Sequence, residues 1–179
     1  MVLKVAVPEG GSGPWQVKKF VVQEQDTKAL YYALHGRPVP PGIYTRLTRD
    51  GELDPVMSDT PAEVRDHLGF IYRATGRVLL SGLGLGLVLK GLLAKSEILH
   101  VDVVEIDADV IALVWPTYMA DPRAVIHHDD AFTIKWPAGT RWDYAWHDIW
   151  PSICTDNLSG ITRLKRKCAR SVGWQGAWV

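Results

Sequence analysis

One stretch constrains this chain more than any other. Between Arg77 and Ile106 a short apolar strand (Arg77 to Ser81) runs into a glycine loop (Gly82 to Gly86). A helix over Leu87 to Ala94 and a second strand over Ile98 to Ile106 follow. The second strand is apolar almost throughout, as expected where both faces of a sheet are covered. Strand–helix–strand succession closes as a right-handed crossover between parallel neighbours. The pattern then repeats. A helix carries Val110, Leu113, Val114 and Tyr118, with Asp109 or Asp107 as its expected cap, and Ala124 to His127 is a third strand. Trp142 to Asp148 is a fourth, and Leu158, Ile161, Leu164, Cys168 and Val172 mark a last amphipathic helix. The expected fold class is α/β, Rossmann-like, with a mostly parallel sheet and helices on both faces.

The first third reads differently. Residues 8–14 are rich in Pro, Gly and Ser and read as a mobile lead-in. Val17 to Val22 and Ile43 to Thr48 are short strands, Asp50-Gly51 is a turn, and Leu53 to Met57 is its returning strand. Residues 1–59 are therefore expected to form a β-hairpin extension and residues 60–179 the Rossmann-like domain. The junction carries a helix start: Thr60 as N-cap, Pro61 in the first turn and Glu63 completing a capping box. Val64, Leu68, Ile71 and Tyr72 fall on one face, and Gly76 ends the helix.

Four groups of residues carry chemistry. Ser81-Gly82-Leu83-Gly84-Leu85-Gly86 lets a ligand approach the backbone at a helix N-terminus. It lacks the third glycine of a dinucleotide fingerprint, since Leu87 stands there, and it lacks the Gly-Lys-Ser/Thr end of a P-loop. Glu105 closes the second strand about twenty residues on, where a carboxylate can accept from both hydroxyls of a ribose. Asp129-Asp130-Ala131-Phe132 follows the third strand and could read an adenine edge. His147-Asp148 closes the fourth strand, at the carboxyl edge where open parallel sheets bind ligands, and offers a general base or an orienting acid. Neighbouring strand residues point to opposite faces, so His127, His128, Asp129 and Asp130 cannot all converge, and no metal is expected.

In this order the four groups resemble the class I S-adenosylmethionine-dependent methyltransferase fold and, within it, the spermidine synthase-like branch. The resemblance runs from about Ile43 to Pro151. It is carried by Arg77-Val78-Leu79-Leu80-Ser81-Gly82-Leu83-Gly84 and by Val104-Glu105-Ile106-Asp107-Ala108-Asp109-Val110-Ile111. Asp121-Pro122-Arg123 leading to Asp130-Ala131-Phe132, and Trp142-Asp143-Tyr144 leading to Asp148, extend it. The whole chain is also similar to small phage-encoded members. The resemblance implies S-adenosylmethionine, or a close adenosyl relative, as cofactor. Gly82, Gly84 and Gly86 would line its amino-acid part, Glu105 and Ile106 the ribose side, and Asp130 and Ala131 the adenine. It implies Asp148 and His147 as catalytic residues and Asp59, in the segment Met57-Ser58-Asp59, at a substrate gate.

The departures redirect the expected activity. Aminopropyl transferases carry an aspartate where this chain has Leu85, and a second where it has Trp150-Pro151. Those acids suit a cationic amine, so methyl transfer to a small-molecule acceptor is the expected reaction. Aminopropyl transfer and a non-catalytic assembly module are the alternatives. The Asn/Asp-Pro-Pro-aromatic motif of adenine and amide N-methyltransferases is absent. In a chain of 179 residues only about 30 follow Asp148, room for one helix and a short strand (Trp174 to Val179), so the C-terminal part of the sheet is truncated.

Composition excludes more than it selects. Formal net charge is zero, so nothing in it demands nucleic acid. The basic face of the last helix (Arg163, Lys165, Arg166, Lys167, Arg170) reads as solvated, with phosphate contact as the alternative. The most apolar stretch, Leu79 to Ala94, is too short and too glycine-rich to span a membrane. Cys154 and Cys168 read as reduced thiols of a cytoplasmic protein without a signal peptide. Six of the eight tryptophans lie in the last quarter. A truncated sheet with that surface predicts a homodimer.

Overall fold

The computed structural model describes residues 3–24, 26, 33–34, 36–52, 54–151 and 154–178. Two sheets share one body. The first is antiparallel, in the order β1 (Gly10–Ser12), β2 (Trp15–Val22), β3 (Gly42–Arg49) and β4 (Met57–Ser58). The second has five strands: β5 (Gly76–Ser81), β6 (Ile98–Glu105), β7 (Ala124–His128), β8 (Trp142–His147) and β9 (Val172–Ala177). Their order is β7-β6-β5-β8-β9, and every pair is parallel. Helix α1 (Pro61–Arg73) joins the two sheets, and α2 (Leu87–Leu93), α3 (Ala108–Val114) and α4 (Asn157–Cys168) supply the crossovers β5–β6, β6–β7 and β8–β9.

Side-chain alternation along the strands divides the core. Val78, Leu80, Val101 and Val103 face α1 to α3 and the first sheet, whereas Leu79, Val104, Trp142 and Ala145 face Leu164 and Cys168 of α4. Leu3, Val5, Val7, Val17 and Leu47 belong to the first of these cores. Residue 60 therefore marks a change of sheet within one continuous apolar interior.

Several local expectations shift. Residues 10–12 are a strand, not a lead-in, because Gly10↔Val17 and Ser12↔Trp15 pair, and Ser12 Oγ donates to Asp109 Oδ1 at 2.6 Å. That contact occupies Asp109, so the cap of α3 is Asp107, which accepts from the Asp109 and Val110 amides. The capping box is displaced as well. Thr60 makes no side-chain cap bond, and Glu63 Oε2 accepts instead from the amide and hydroxyl of Ser58, at 2.9 and 2.7 Å. Tyr72 is 60 % exposed, and His67 and Phe70 take the buried face of α1 with Val64 and Ile71. Gly76 already belongs to β5, and its left-handed φ of 67° brings its Cα against the Asp143 carboxylate. The last strand begins two residues early, at Val172, which leaves the last helix. Leu53, the expected first residue of the returning strand, lies outside the described residues, as does Val179.

None of the six C-terminal tryptophans is fully exposed: Trp142 and Trp146 are buried, and Trp136, Trp150, Trp174 and Trp178 are half-buried. Trp142 belongs to a polar knot in the middle of the sheet. Its indole N–H donates to Asp102 Oδ2 at 2.7 Å, while the imidazoles of His127 and His100 lie 2.8 and 3.1 Å from Oδ1. Burial pushes the Asp102 carboxyl up, but bonds from Trp142, His127 and His100 outweigh it and hold the group below the usual range. A carboxylate depressed on folding stabilises the fold above its unfolded pKa of about 3.9, and the benefit is lost as pH falls through the lower folded value. We expect the urea midpoint to drop on acidification below about pH 4, and to drop less steeply in Asp102→Asn.

Candidate functional site

The carboxyl ends of β5, β6 and β8 meet at the glycine loop. Glu105, almost fully buried, ties them together: Oε2 accepts from the Leu83 amide at 2.8 Å and Oε1 from the Asp107 amide at 3.0 Å. The loop thus hangs from the end of the next strand. Ile106, the following residue, is 65 % exposed and offers a flat apolar surface beside that carboxylate. One strand further on, the Asp129 amide donates to the Glu105 carbonyl, and Asp130 Oδ1 accepts from the Phe132 amide at 2.8 Å. Ala131 is buried behind it, its carbonyl accepting from Lys167 Nζ.

The glycines do different work. Gly82 has φ 98°, and a Cβ there would lie 2.0 Å from the Asp148 carbonyl oxygen, so the chain can pass β8 only without a side chain. At Gly84 a Cβ would meet Met57 Sδ at 2.6 Å, and that sulfur also accepts from the Leu85 amide at 3.1 Å. Gly86 lies under Tyr118, whose hydroxyl donates to the Leu85 carbonyl at 3.1 Å. A narrow cleft remains between Met57, Gly82, Gly84, Val88, Trp146 and Asp148.

Asp148 lies in that cleft. Burial raises its pKa to about 7, with the carboxylates of Glu63 and Asp66 adding to the shift. The imidazole of His67 on α1 lies beside it, Nε2 to Oδ2 at 3.7 Å. Burial drives His67 down to about 4, so the imidazole is neutral near pH 7. Glu63 is likewise raised to about 7 by burial, against the lowering effect of its two Ser58 bonds.

The structure brings together Gly82, Gly84, Glu105, Ile106 and Asp148 along one edge, and it takes two expected residues elsewhere. His147 is fully buried beside Asp148 in sequence, but Nδ1 pairs with Ser81 Oγ at 2.9 Å and Nε2 with Gln175 Oε1 at 3.2 Å. With both nitrogens occupied and its pKa lowered to about 4 by burial, it braces β5 against β9 and does not face the cleft. The Asp59 side chain does not face the cleft. It is buried, Oδ1 accepting from the Thr45 amide at 2.7 Å and Oδ2 from the Val5 amide at 3.1 Å, and so it fastens the N-terminal segment to β3. His127 turns to Asp102, and His128 to the Ile106 carbonyl. Sequence reasoning passed over His67 and named Met57 only as part of the segment at the expected gate. The signal for His67 was present: Val64, His67 and Ile71 share one helical face, and a histidine inside an apolar stripe needs a partner.

No protein-family model matches the chain, and no curated protein matches it. Among solved structures, spermidine synthase from Thermotoga maritima is similar at a TM-score of 0.54 and 16% identity, over 94% of this chain and 54% of that one. The CcbJ methyltransferase from Streptomyces caelestis is similar at 0.51 and 17% identity, over 65% of this chain and 49% of that one. This chain spans about half the length of these structures. At such identities the likeness is one of fold. The sheet and its glycine loop have the class I S-adenosylmethionine-dependent methyltransferase fold, which spermidine synthase shares. No helix among the described residues is long and apolar enough to cross a membrane.

The passage of Gly82 beneath Asp148 gives a direct test of the site's construction. Gly82→Ala places a Cβ against backbone in a left-handed conformation, at a cost of at least ~2 kcal/mol. We expect thermal denaturation to show a Tm lowered by roughly 4–8 °C.

Proposed function

We propose that this chain is a cytoplasmic S-adenosylmethionine-dependent methyltransferase acting on a small acceptor held at Asp148. The observation that carries this reading is Glu105: a buried carboxylate that fixes the glycine loop, with exposed Ile106 beside it and Asp148 across the cleft. When bound, the cofactor supplies a methyl group already activated by a positive sulfur, so positioning provides much of the catalysis.

The residues present fit that group. Each Glu105 oxygen accepts one amide and keeps a second lone pair for a ribose hydroxyl. Asp130 and Ala131 would border the adenine, and Gly82 and Gly84 the amino-acid part. At Gly84 the cradle already holds a thioether, that of Met57, bonded to the Leu85 amide. A methionine chain therefore suits this place, and Met57 has to withdraw for a ligand to enter. Asp148 orients the acceptor and takes the proton it loses. His147 holds the end of β8, from which Asp148 follows, between β5 and β9 through Ser81 and Gln175.

Aminopropyl transfer is the second reading, favoured by the extent of the likeness to spermidine synthase. Against it, Leu85 is fully buried and puts no charge at the loop, and Trp150-Pro151 stands where a second acid would serve an amine.

Calorimetry with S-adenosylmethionine and S-adenosylhomocysteine tests the reading. We expect binding that weakens by roughly 100-fold in Glu105→Ala, the loss of two charge-assisted hydrogen bonds. Because that variant also frees two buried amides, Glu105→Gln with a matched melting curve separates lost contact from lost fold. Unchanged affinity in both would remove the ribose assignment, and tighter binding of the decarboxylated cofactor would favour aminopropyl transfer. With an acceptor in hand, kcat/KM for S-adenosylmethionine should rise as pH passes upward through about 7, where Asp148 of the free chain ionises.

A further inference from the structure

A net charge of zero conceals a segregation of charge. From Asn157 to Val179 the chain carries five cationic side chains, Arg163, Lys165, Arg166, Lys167 and Arg170, and no acid, which leaves fifteen cations against twenty acids in the rest. Helix α4 sorts them by face. Ile161, Leu164 and Cys168 are buried against the sheet, and at about 100° per residue Ser159, Arg163, Arg166 and Arg170 fall on the opposite, exposed side. Ser159, Arg163 and Arg166 line an open hollow there with Leu158 and Thr162. Among the described residues none of the three arginines belongs to an ion pair. The lysines differ: Lys165 is half-buried, and Lys167 Nζ donates to the Ala131 carbonyl at 2.8 Å under the influence of Asp129 and Asp130. The arginine stripe is unfavourable for the helix by itself. Arg163 with Arg166, and Arg166 with Arg170, are like charges at the two spacings where helical side chains meet. The helix dipole accounts for cations in the last turn but not for Arg163 in the middle. Arg163 is also set in place, its guanidinium 4.7 Å above the centre of the Phe132 ring.

We propose that the exposed face of α4 is a docking surface for the sugar–phosphate backbone of a nucleic acid, bound without reading its sequence. This goes beyond the transferase reading and does not rest on it. Helix α4 covers the face of the sheet opposite the Asp148 cleft, so the surface tethers the chain to a polymer and presents nothing to the cleft. Charge complementarity selects a polyanion, and the residue types select phosphate. Guanidinium forks pair bidentately with phosphate oxygens, and hydroxyls such as that of Ser159 are common backbone contacts. Three arginines spread over about 10 Å of helix suit a run of phosphates better than a single ion. The stripe carries no Asn, Gln or acid to read base edges, and the Thr162 hydroxyl already donates to the Leu158 carbonyl at 2.8 Å. An anionic membrane would call for a free apolar face as well, and the apolar face of α4 is in the core.

Fluorescence anisotropy of a labelled, random-sequence DNA duplex titrated with the full chain reads this surface without any turnover. Three phosphate contacts predict a slope of about −2.7 for log affinity against log salt, a roughly 40-fold loss between about 50 and 200 mM. Arg166→Gln should flatten that slope by about 0.9. The triple variant Arg163→Gln, Arg166→Gln, Arg170→Gln should remove binding with its melting curve unchanged; if the triple fails to fold, Arg166→Gln and Arg170→Gln carry the test singly. Unlabelled duplex, phosphatidylserine vesicles and polyglutamate, matched in charge, serve as competitors, and the duplex should displace the label best. The proposal is overturned if no complex forms at about 50 mM salt with ~100 μM protein, the weak end of sequence-independent binding. It is equally overturned if affinity ignores salt, if the glutamine variants bind as the parent chain does, or if vesicles or polyglutamate displace the label better than the duplex.

Discussion

The two amide bonds accepted by Glu105 decide the geometry of everything at the carboxyl edge of the sheet. A glycine loop after a parallel strand has no ladder of its own, and its amides must find acceptors. Here one of them, Leu83, finds the last residue of the adjacent strand, and the same carboxylate holds the amide of Asp107, which in turn caps α3. A single buried acid therefore fixes loop, strand end and helix start relative to one another. The Asp107 carboxylate reaches back to the Trp15 indole, and Asp109 to Ser12, so the N-terminal sheet is anchored by the same turn. Few residues in a chain of this size couple so many segments, and the coupling passes through backbone amides that no side-chain substitution can supply.

Against that frame the readable and unreadable parts of the sequence separate by the range of the interactions involved. Strand periodicity and the glycine loop are local, and β5, α2, β6 and β7 fall within a residue or so of their expected bounds. Thr60 and Pro61 stand at the start of α1 and Asp107 caps α3, but the side chains of Glu63 and Asp109 find other partners for the same reason. The expected partner of Glu63 was Thr60, yet Ser58, held in β4 by pairing with β3, offered two donors at once. Asp109 was free to cap α3 in sequence terms, but a hydroxyl ninety-seven residues away claimed it. Asp59 shows the same thing at the site. An acid next to a predicted gate reads as functional, and only the fold shows two distant amides, Val5 and Thr45, converging on it. His147 and Asp148 were read as a pair, but strand alternation sends them to opposite sides, one into the sheet and one into the cleft.

The sheet is unequally covered, and this bears on where an acceptor can approach. Helices α1, α2 and α3 and the N-terminal sheet pack on one face, while α4 alone serves the other. Between β7 and β8 the chain makes turns in place of a helix, and Ile134 and Trp136 fill the gap, Trp136 edge-on to both His127 and Trp142. The Asp102 knot sits on this thinner side, a polar cluster in mid-sheet tolerated because the carboxylate is bonded to three rings. The cleft at Asp148 opens on the opposite, thicker side, under α1, so α1 and β4 are the elements a ligand must pass. Met57 belongs to a strand of two residues paired on one side only, which makes its withdrawal inexpensive compared with any movement of the main sheet.

The electrostatics of the cleft follow from its dryness. Burial moves Asp148 and Glu63 upward and His67 downward, in each case toward the uncharged form. A carboxylate and an imidazole 3.7 Å apart would normally form an ion pair, but here each is held near neutrality and neither is bonded to the other. On the proposed reading this arrangement is conditional on the cofactor's charge. A cation placed in the cleft favours the ionised form of a nearby carboxylate, which lowers the pKa of Asp148 and makes it a proton acceptor when the methyl donor is present. Without that charge Asp148 returns toward its protonated form. The low dielectric of the cleft would then make the base more available in the loaded enzyme than in the free one.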